Sequence, residues 1–309
     1  AMSGPLLSRA SYELMQRVAR FSGVRRATMA RARQQPARPL PGLPAGVDDP
    51  VLASAGVPQI LADLEADGLA PRLALRPEVV AAVQRWADAT PCYAYENPAH
   101  GFLPAQRTAA EAALGKPILK AVYLRPEQGC DAMRAVCDSP TVHAIARAYL
   151  GPGAQLVSRQ LWWTFPTQAD EKTRKKVAHF FHRDIDDYAF LKFFFYVTPV
   201  QPGDGSHHFV LRSHRPGWKQ LTVEGFQKKR WTDAQMARGY GAEALRELHG
   251  PAGLGFAEDT FGLHKAQSPS VHPRLLISLV FQLRDYQLDD LDPSQARLLV
   301  PADSGRVAA

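Results

Sequence analysis

The sequence predicts a β-rich α+β protein, with helices in the first half of the chain and an antiparallel β core in the second. Residues 57–150 carry apolar side chains at helical spacing, with proline and glycine where helices begin and end. After Gly153, short runs of aromatic and β-branched residues alternate with turns, a pattern typical of an antiparallel sandwich or barrel. At 309 residues, 46% of them hydrophobic, the chain can bury one large core.

Four helices are predicted in the first half because each has a recognisable boundary. They cover residues 57–66, 79–89, 105–114 and 139–150. Pro77 stands in the first turn of the second helix, and Gly151-Pro152 ends the fourth. Proline suits a first helical turn because the N–H groups there have no partner within the helix.

The second half is predicted to supply the strands of the core. The predicted strands are residues 155–165, 190–200, 207–211, 253–257 and 274–284. The polar segment 218–249 interrupts them and is predicted to be a helical insertion over one end of the β structure. The sequence therefore indicates one domain over residues 51–290, with its β core over 155–285, followed by a C-terminal tail over 291–309.

The positive charge is concentrated in a basic arm and linker, residues 1–50. Residues 1–47 contain eight arginines and one acidic residue, Glu13, which accounts for the whole formal net charge of +7. The formal charges of residues 48–309 sum to zero, so no nucleic-acid partner is expected. Residues 7–34 have a helical pattern with arginines between apolar positions, which fits peripheral membrane contact or a partner. A helix packed on the body, or an unstructured basic arm, fits the same pattern.

Cysteine usage and hydropathy indicate a cytoplasmic protein. For the basic arm, contact with a membrane surface is a further interpretation. The three cysteines are odd in number and form no CxxC pair, which disfavours a disulfide framework or a structural zinc site. No apolar run is long enough to cross a bilayer, and no secretory signal is recognised. The sequence sets no oligomeric state.

An HxD triplet, His182 to Asp184, is the first candidate for metal binding. Residues two apart in an extended chain point to the same face, so this imidazole and this carboxylate can converge on one ion. His264, which precedes the predicted strand 274–284, is the candidate third ligand. Two histidines and one carboxylate form the ligand set of non-haem iron(II) oxygenases and leave other positions on the ion open.

Arg274, ten residues after His264, is the candidate cation for a dicarboxylate co-substrate. Alternation along the strand places Arg274, Ser278 and Gln282 on one face, with aliphatic and aromatic residues on the other. A guanidinium can bind a carboxylate through two parallel hydrogen bonds, which a lysine cannot. Arg274 and Ser278 are therefore both predicted to contact the co-substrate.

These motifs, in this order, resemble those of the phytanoyl-CoA dioxygenase family. The resemblance rests on the HxD triplet, the aromatic run 190–197, the turn ending in Arg-Ser-His214, the run from Asp259 to His264, and Arg274. It covers roughly residues 55–285 and leaves out the basic arm. The family's Pro-Gly-Ser-His turn reads Leu211-Arg-Ser-His214 here, which changes a turn and no ligand.

The resemblance implies a double-stranded β-helix, a cupin-like jelly roll with N-terminal helices packed on one sheet. It also implies iron(II), 2-oxoglutarate and O2 as cofactor and co-substrates, with ascorbate as a supporting reductant. The implied reaction hydroxylates a C–H bond of a small-molecule, lipid or glycan-type metabolite and releases succinate and CO2. Asp184 favours hydroxylation, because related halogenases have a small residue at this position.

Further polar and aromatic side chains are candidates for the pocket. Gln160, Trp162 and Thr164 share one face of their strand, and we expect Gln160 to contact the co-substrate and the other two the substrate. Lys192 shares a face with Tyr196 among phenylalanines, and it could bind a substrate or co-substrate carboxylate or extend to solvent.

One histidine completes the candidates, and two other functions remain open. His207 follows a glycine turn and is a candidate at the pocket rim. One alternative function is a non-catalytic jelly-roll binding protein. The other is a cupin-type metalloenzyme that uses the same three ligands without 2-oxoglutarate, and Arg274 discriminates between these functions.

Overall fold

A computed structural model describes residues 5–36, 49–53, 56–166, 180–202, 204–217, 230–267, 269, 271–287 and 291–301. The helices are α1 (Pro5–Val18), α2 (Ser22–Arg33), α3 (Val57–Asp67), α4 (Pro77–Ala89), α5 (Arg107–Leu114), α6 (Pro126–Gly129), α7 (Asp131–Cys137), α8 (Pro140–Leu150) and α9 (Asp233–Tyr240). Short 3-10 helices cover Pro104–Gln106, Ala242–Ala244 and Pro293–Gln295.

Two antiparallel sheets form the β structure. The strands are β1 (Leu69–Ala74), β2 (Cys92–Ala94), β3 (Gly101–Phe102), β4 (Lys120–Val122), β5 (Gln155–Thr164), β6 (Phe190–Tyr196), β7 (His207–Val210), β8 (Leu245–Leu248), β9 (Leu254–Glu258), β10 (His264–Ala266) and β11 (Arg274–Gln282). The large sheet has the order β1-β9-β6-β11-β5-β4-β2-β3, and the small sheet has the order β10-β7-β8.

The large sheet separates two apolar layers. On one face, Leu275 and Ile277 of β11 belong to a buried cluster that includes Val83 of α4 and Ile145 of α8. On the other face, the cluster joins large-sheet aromatic residues such as Phe194 to residues of the small sheet. Because β11 is buried on both faces, it reads as an almost continuous apolar run. Two facing antiparallel sheets with helices outside confirm the predicted β-rich α+β jelly-roll class.

The division into a helical first half and a β second half needs correction. The segment 57–150, predicted to be helical, also contributes β1 to β4 of the large sheet. These strands have two to six residues, too few for an alternating pattern to stand out. Within the predicted insertion 218–249, residues 218–229 lie outside the described residues, α9 is helical as expected, and β8 is a strand of the small sheet.

The predicted arm helix 7–34 is two helices, α1 and α2, that pack on the body. Met15 and Ala19 are buried beside Tyr286, and Arg25 is only 3% exposed. The predicted linker lies mostly outside the described residues, which resume at Asp49. No helix in the described ranges is both long and apolar enough to cross a membrane.

Candidate metal centre

His182 and His264 lie opposite each other in an antiparallel backbone pair. Each N–H donates to the other residue's carbonyl oxygen, and both hydrogen bonds measure 3.0 Å. Residues paired in this way project their side chains to the same side. The imidazole rings are accordingly close, with centroids 4.4 Å apart. Main-chain pairing therefore brings together two candidate ligands that are distant in the sequence.

Asp184 completes the cluster. Its N–H donates to the carbonyl of Thr260 at 2.9 Å, which continues the pairing started by His182. Asp184 Oδ1 lies 3.8 Å from His182 Nε2, and Oδ2 lies 3.4 Å from His264 Nε2. One ligand atom from each of the three residues lies within 4.8 Å of the others, so the group could hold a metal ion.

Backbone carbonyls orient both imidazoles. His182 Nδ1 lies 3.3 Å from the carbonyl oxygen of Phe180, and His264 Nδ1 lies 3.0 Å from that of Gly262. With Nδ1 donating these hydrogen bonds, the lone pair of each neutral ring is on Nε2, the atom that faces Asp184. This is the tautomer that a metal at the centre of the cluster requires.

The pKa values of the two histidines in the cluster are shifted in opposite directions. Burial, reinforced by the neighbouring His264, lowers the pKa of His182 to about 4. Burial also acts to lower the pKa of His264, but the adjacent Asp184 carboxylate outweighs it and raises that pKa to about 9. Although burial opposes ionisation of Asp184, Lys192 and His264 hold its pKa well below the ordinary range. Without a metal, His264 is therefore the protonated member at neutral pH.

Lys192 of β6 forms a hydrogen bond with the carboxylate of Asp184 in the candidate metal site. Its Nζ donates to Asp184 Oδ2 at 2.7 Å and lies 2.8 Å from Oδ2 of Asp186. Burial disfavours the ammonium, yet the two carboxylates outweigh this and raise the pKa of Lys192. Its predicted contact with a co-substrate or substrate carboxylate stays a prediction, since the structure shows its ammonium engaged by these two aspartates.

Arg274 begins β11 as a buried guanidinium that is 3% exposed. Its hydrogen bonds go to neutral oxygens, which are the carbonyl of Gly205, Oγ1 of Thr164 at 3.3 Å and the hydroxyl of Tyr196. Its Nε is buried and finds no acceptor among the described residues. Burial lowers the pKa of Arg274. A buried cation with an unused donor is suited to an anionic ligand, because unpaired buried charge is costly.

Arg274 and the histidine cluster belong to one interior. Gly205, which Arg274 contacts, leads into β7, where the ring of His207 stacks on His264 with centroids 5.7 Å apart. Thr164, the other partner of Arg274, is its cross-strand neighbour on β5. The space between the two sheets therefore holds both the candidate metal ligands and the candidate anion-binding side chain.

The remaining predicted site residues lie along the same strands at different depths. Ser278 is 2% exposed and pairs across strands with Gln160, which is exposed. Trp162 is half-buried, with the ammonium of Lys120 4.9 Å from its ring. Tyr196 is fully buried, and its hydroxyl donates to the carbonyl of Leu248 at 2.8 Å. Contacts of these residues with substrate or co-substrate stay predictions.

Comparison with known proteins gives a fold likeness and no family. No family model and no curated protein matches this chain. It resembles the non-heme alpha ketoglutarate dependent epimerase SnoN from nogalamycin biosynthesis, with 17% identity over 82% of this chain and 94% of SnoN and a TM-score of 0.47.

Two further solved structures are similar to the same degree. EvdO2 from Micromonospora carbonacea var. aurantiaca, complexed with 2-oxoglutarate, has 16% identity over 76% of this chain and 93% of its own, with a TM-score of 0.49. HygX from Streptomyces hygroscopicus, with nickel, 2-oxoglutarate and hygromycin B bound, has 12% identity over 72% of this chain and 86% of its own, with a TM-score of 0.47. Likenesses this distant carry no argument about activity, and the resemblance to the phytanoyl-CoA dioxygenase family stays a prediction.

Glu258, an acidic residue beside the cluster, is not among the site residues predicted from the sequence. Its carboxylate is fully buried, and Oε2 lies 2.8 Å from Nε2 of His207, although at an angle that forms no hydrogen bond. Glu258 also stands opposite Lys192 across β9 and β6. The signal in the sequence was a charged residue closing an apolar strand immediately before the run that leads to His264.

Two arginines outside the set of predicted site residues hold together the segments that carry the candidate ligands. Arg183, between the two HxD ligands, donates to the carbonyls of Ser213, at 2.6 Å, and Phe261. Arg25 of α2 donates to Asp259 at 3.0 Å and to the carbonyl of Asp187 at 3.4 Å. The segment after the HxD triplet and the segment before His264 are thus joined to each other and to an N-terminal helix.

Proposed function

We propose that this chain is an oxygenase that binds iron(II) through His182, Asp184 and His264 and binds 2-oxoglutarate through Arg274. The observation that carries the proposal is the pairing of a two-histidine, one-carboxylate cluster with a buried guanidinium in one interior. The cluster fits iron(II) because its donor set suits that ion and leaves coordination positions for a co-substrate. The guanidinium fits the dicarboxylate because its Nε has no acceptor among the described residues.

Bound iron(II) and 2-oxoglutarate would together supply the oxidation, in which O2 hydroxylates a substrate C–H bond while 2-oxoglutarate yields succinate and CO2. The protein would hold and orient these groups. The carbonyls of Phe180 and Gly262 keep both imidazoles in the ligand tautomer. Lys192 fixes Oδ2 of Asp184 and leaves Oδ1 for a metal ion.

Arg274 would set the direction in which 2-oxoglutarate lies. Its guanidinium would bind the carboxylate far from the metal and leave the keto-acid end to face the histidines. The surroundings of this guanidinium are buried, so its attraction for a carboxylate is weakly screened by water.

The substrate is proposed to be a small molecule of lipid or glycan type. The arm helices α1 and α2 are proposed to contact a membrane peripherally.

Anaerobic titration with iron(II) and then 2-oxoglutarate tests the proposal without knowledge of the substrate. The wild-type protein should bind the metal and then give the visible charge-transfer absorption of a 2-oxoglutarate chelate. Asp184→Ala should lose metal binding. Arg274→Gln should keep it and bind 2-oxoglutarate about tenfold to a hundredfold more weakly, because a charge-assisted bidentate contact is lost.

The two alternative functions predict different titrations. A cupin-type enzyme without 2-oxoglutarate would bind iron(II) and show no dependence on Arg274. A non-catalytic binding protein would bind neither group in the wild type. Succinate release with iron(II), ascorbate and candidate metabolites, compared between wild type and Asp184→Ala, then tests hydroxylation.

A further inference from the structure

A cavity separate from the candidate metal centre lies between α2 and the body of the protein. It encloses about 230 Å³. Its wall on the α2 side includes Arg25, Arg26 and Arg33, which recur at helical spacing on one face of the helix. Its opposite wall includes His214 and Arg215.

The cavity has an excess of positive charge. The guanidinium of Arg25 pairs with Asp259, which also lines the cavity, at 3.0 Å. Arg33 and Arg215 share a single carboxylate, that of Glu65. Arg26 is exposed and forms no ion pair with a described residue. Four guanidinium groups therefore face two carboxylates, which leaves two positive charges for a ligand.

A buried histidine provides an independent indication of a ligand. His214 is 5% exposed, and although the backbone of Glu65 acts on its ring, neither ring nitrogen forms a hydrogen bond of good geometry within the described part of the chain. Buried polar groups in proteins are almost always hydrogen-bonded, so an unmatched imidazole in a cavity wall calls for a partner. An imidazole can donate one hydrogen bond to an anionic oxygen.

We propose that this cavity binds a phosphoryl group, carried either by a free phosphate monoester or by the monoester headgroup of a phospholipid such as phosphatidic acid. A phosphoryl group has up to two negative charges, which match the excess, and three oxygens that several guanidinium groups can share. The volume is below the roughly 300–1,000 Å³ of clefts that enclose a drug-sized molecule, so the rest of a larger ligand would extend outside. This site goes beyond the proposed oxygenase function and does not depend on it.

Titration of the full chain with sn-glycerol 3-phosphate, followed calorimetrically in chloride buffer without metal, tests the site. Wild type should show saturable binding, and Arg26→Gln should bind about tenfold more weakly, because one charge-assisted contact is lost. Arg31→Gln is the matched control, since Arg31 is exposed on the same helix outside the cavity wall. It removes the same charge and should leave binding unchanged.

Vesicles of phosphatidylcholine, with and without phosphatidic acid, distinguish the two sources. Binding of glycerol phosphate without vesicle binding identifies a soluble ligand. Arg26-dependent binding to the acidic vesicles identifies a headgroup, and Phe21, 48% exposed and next to Ser22 of the cavity wall, would then face the lipid. Absence of saturable binding in both arms, or equal weakening by Arg26→Gln and Arg31→Gln, would overturn the proposal.

Discussion

At the scale of single residues, Lys192 places an ammonium between two carboxylates. Its side chain is 15% exposed, and its contacts with Asp184 and Asp186 are 2.7 and 2.8 Å long. Because little water reaches this group, the carboxylates would lose their main compensation if the ammonium were removed. Lys120, on β4 of the same sheet, forms an exposed pair of similar length with Glu96 at 2.7 Å.

Lys192→Met should lower the free energy of unfolding of the metal-free protein by about 3 kcal/mol, since it leaves largely buried carboxylates without a partner. Lys120→Met should lower the free energy of unfolding by only about 0.5 kcal/mol, because both partners of the Lys120–Glu96 pair are substantially exposed. Urea unfolding at pH 7 with a chelator present measures both values. Equal losses in the two variants would contradict the distinction drawn between these pairs.

The raised pKa of His264 predicts a pH dependence of metal binding. With this pKa near 9, a metal ion must displace one proton from His264 at any lower pH. His182, with a pKa near 4, is already neutral above pH 6 and releases none. The association constant for nickel(II) should therefore rise about tenfold per pH unit between pH 6 and 8. Calorimetry in buffers of different ionisation enthalpy should report one released proton; a constant affinity would contradict the assignment.

At the scale of elements, the connection from β9 to β10 depends on a close approach at Gly262. A Cβ atom at this position would lie 2.3 Å from the ring of Phe209 on β7 and 2.9 Å from the carbonyl oxygen of Asp259. Only a residue without a side chain lets this connection lie against β7. The carbonyl of Gly262 in turn accepts from the ring of His264, so this packing contact also positions a candidate ligand.

Gly262→Ala should lower the free energy of unfolding by about 1–3 kcal/mol and weaken metal binding, because the added methyl group forces the connection away from Phe209. Adding Phe209→Leu should restore part of both losses by removing the clashing ring atoms. Gly23→Ala in α2, where a Cβ meets nothing within 4 Å, should instead raise stability by about 0.5 kcal/mol. Chemical unfolding and metal titration of the four proteins provide the comparison.

At the scale of the whole molecule, local signals predicted the long elements and the order of the site motifs. Ser139 marks the start of α8 because its hydroxyl accepts the N–H of Val142 at 3.3 Å, a contact between near neighbours in sequence. The two-residue spacing of the HxD triplet likewise follows from alternation along an extended chain. These features could be predicted because each depends on residues close together in the chain.

The parts that sequence reasoning missed depend on contacts between distant segments. The short strands β1 to β4 owe their conformation to partners in the large sheet, and β8 owes its own to β7. Glu258 acquires its place beside His207 only when the two sheets face each other. The role of Arg25 has the same origin, because nothing near it in sequence distinguishes it from the other arginines of the arm.

The contacts of Arg25 also bear on the order in which the molecule assembles. Its hydrogen bonds to the carbonyl of Asp187 and the carboxylate of Asp259 span 162 and 234 residues. Closing loops of that length is entropically costly unless intervening structure has already brought the ends together. Helix α2 is thus expected to dock late in folding, after both sheets have formed, and the segments bearing the two histidines reach their final rigidity only at that stage.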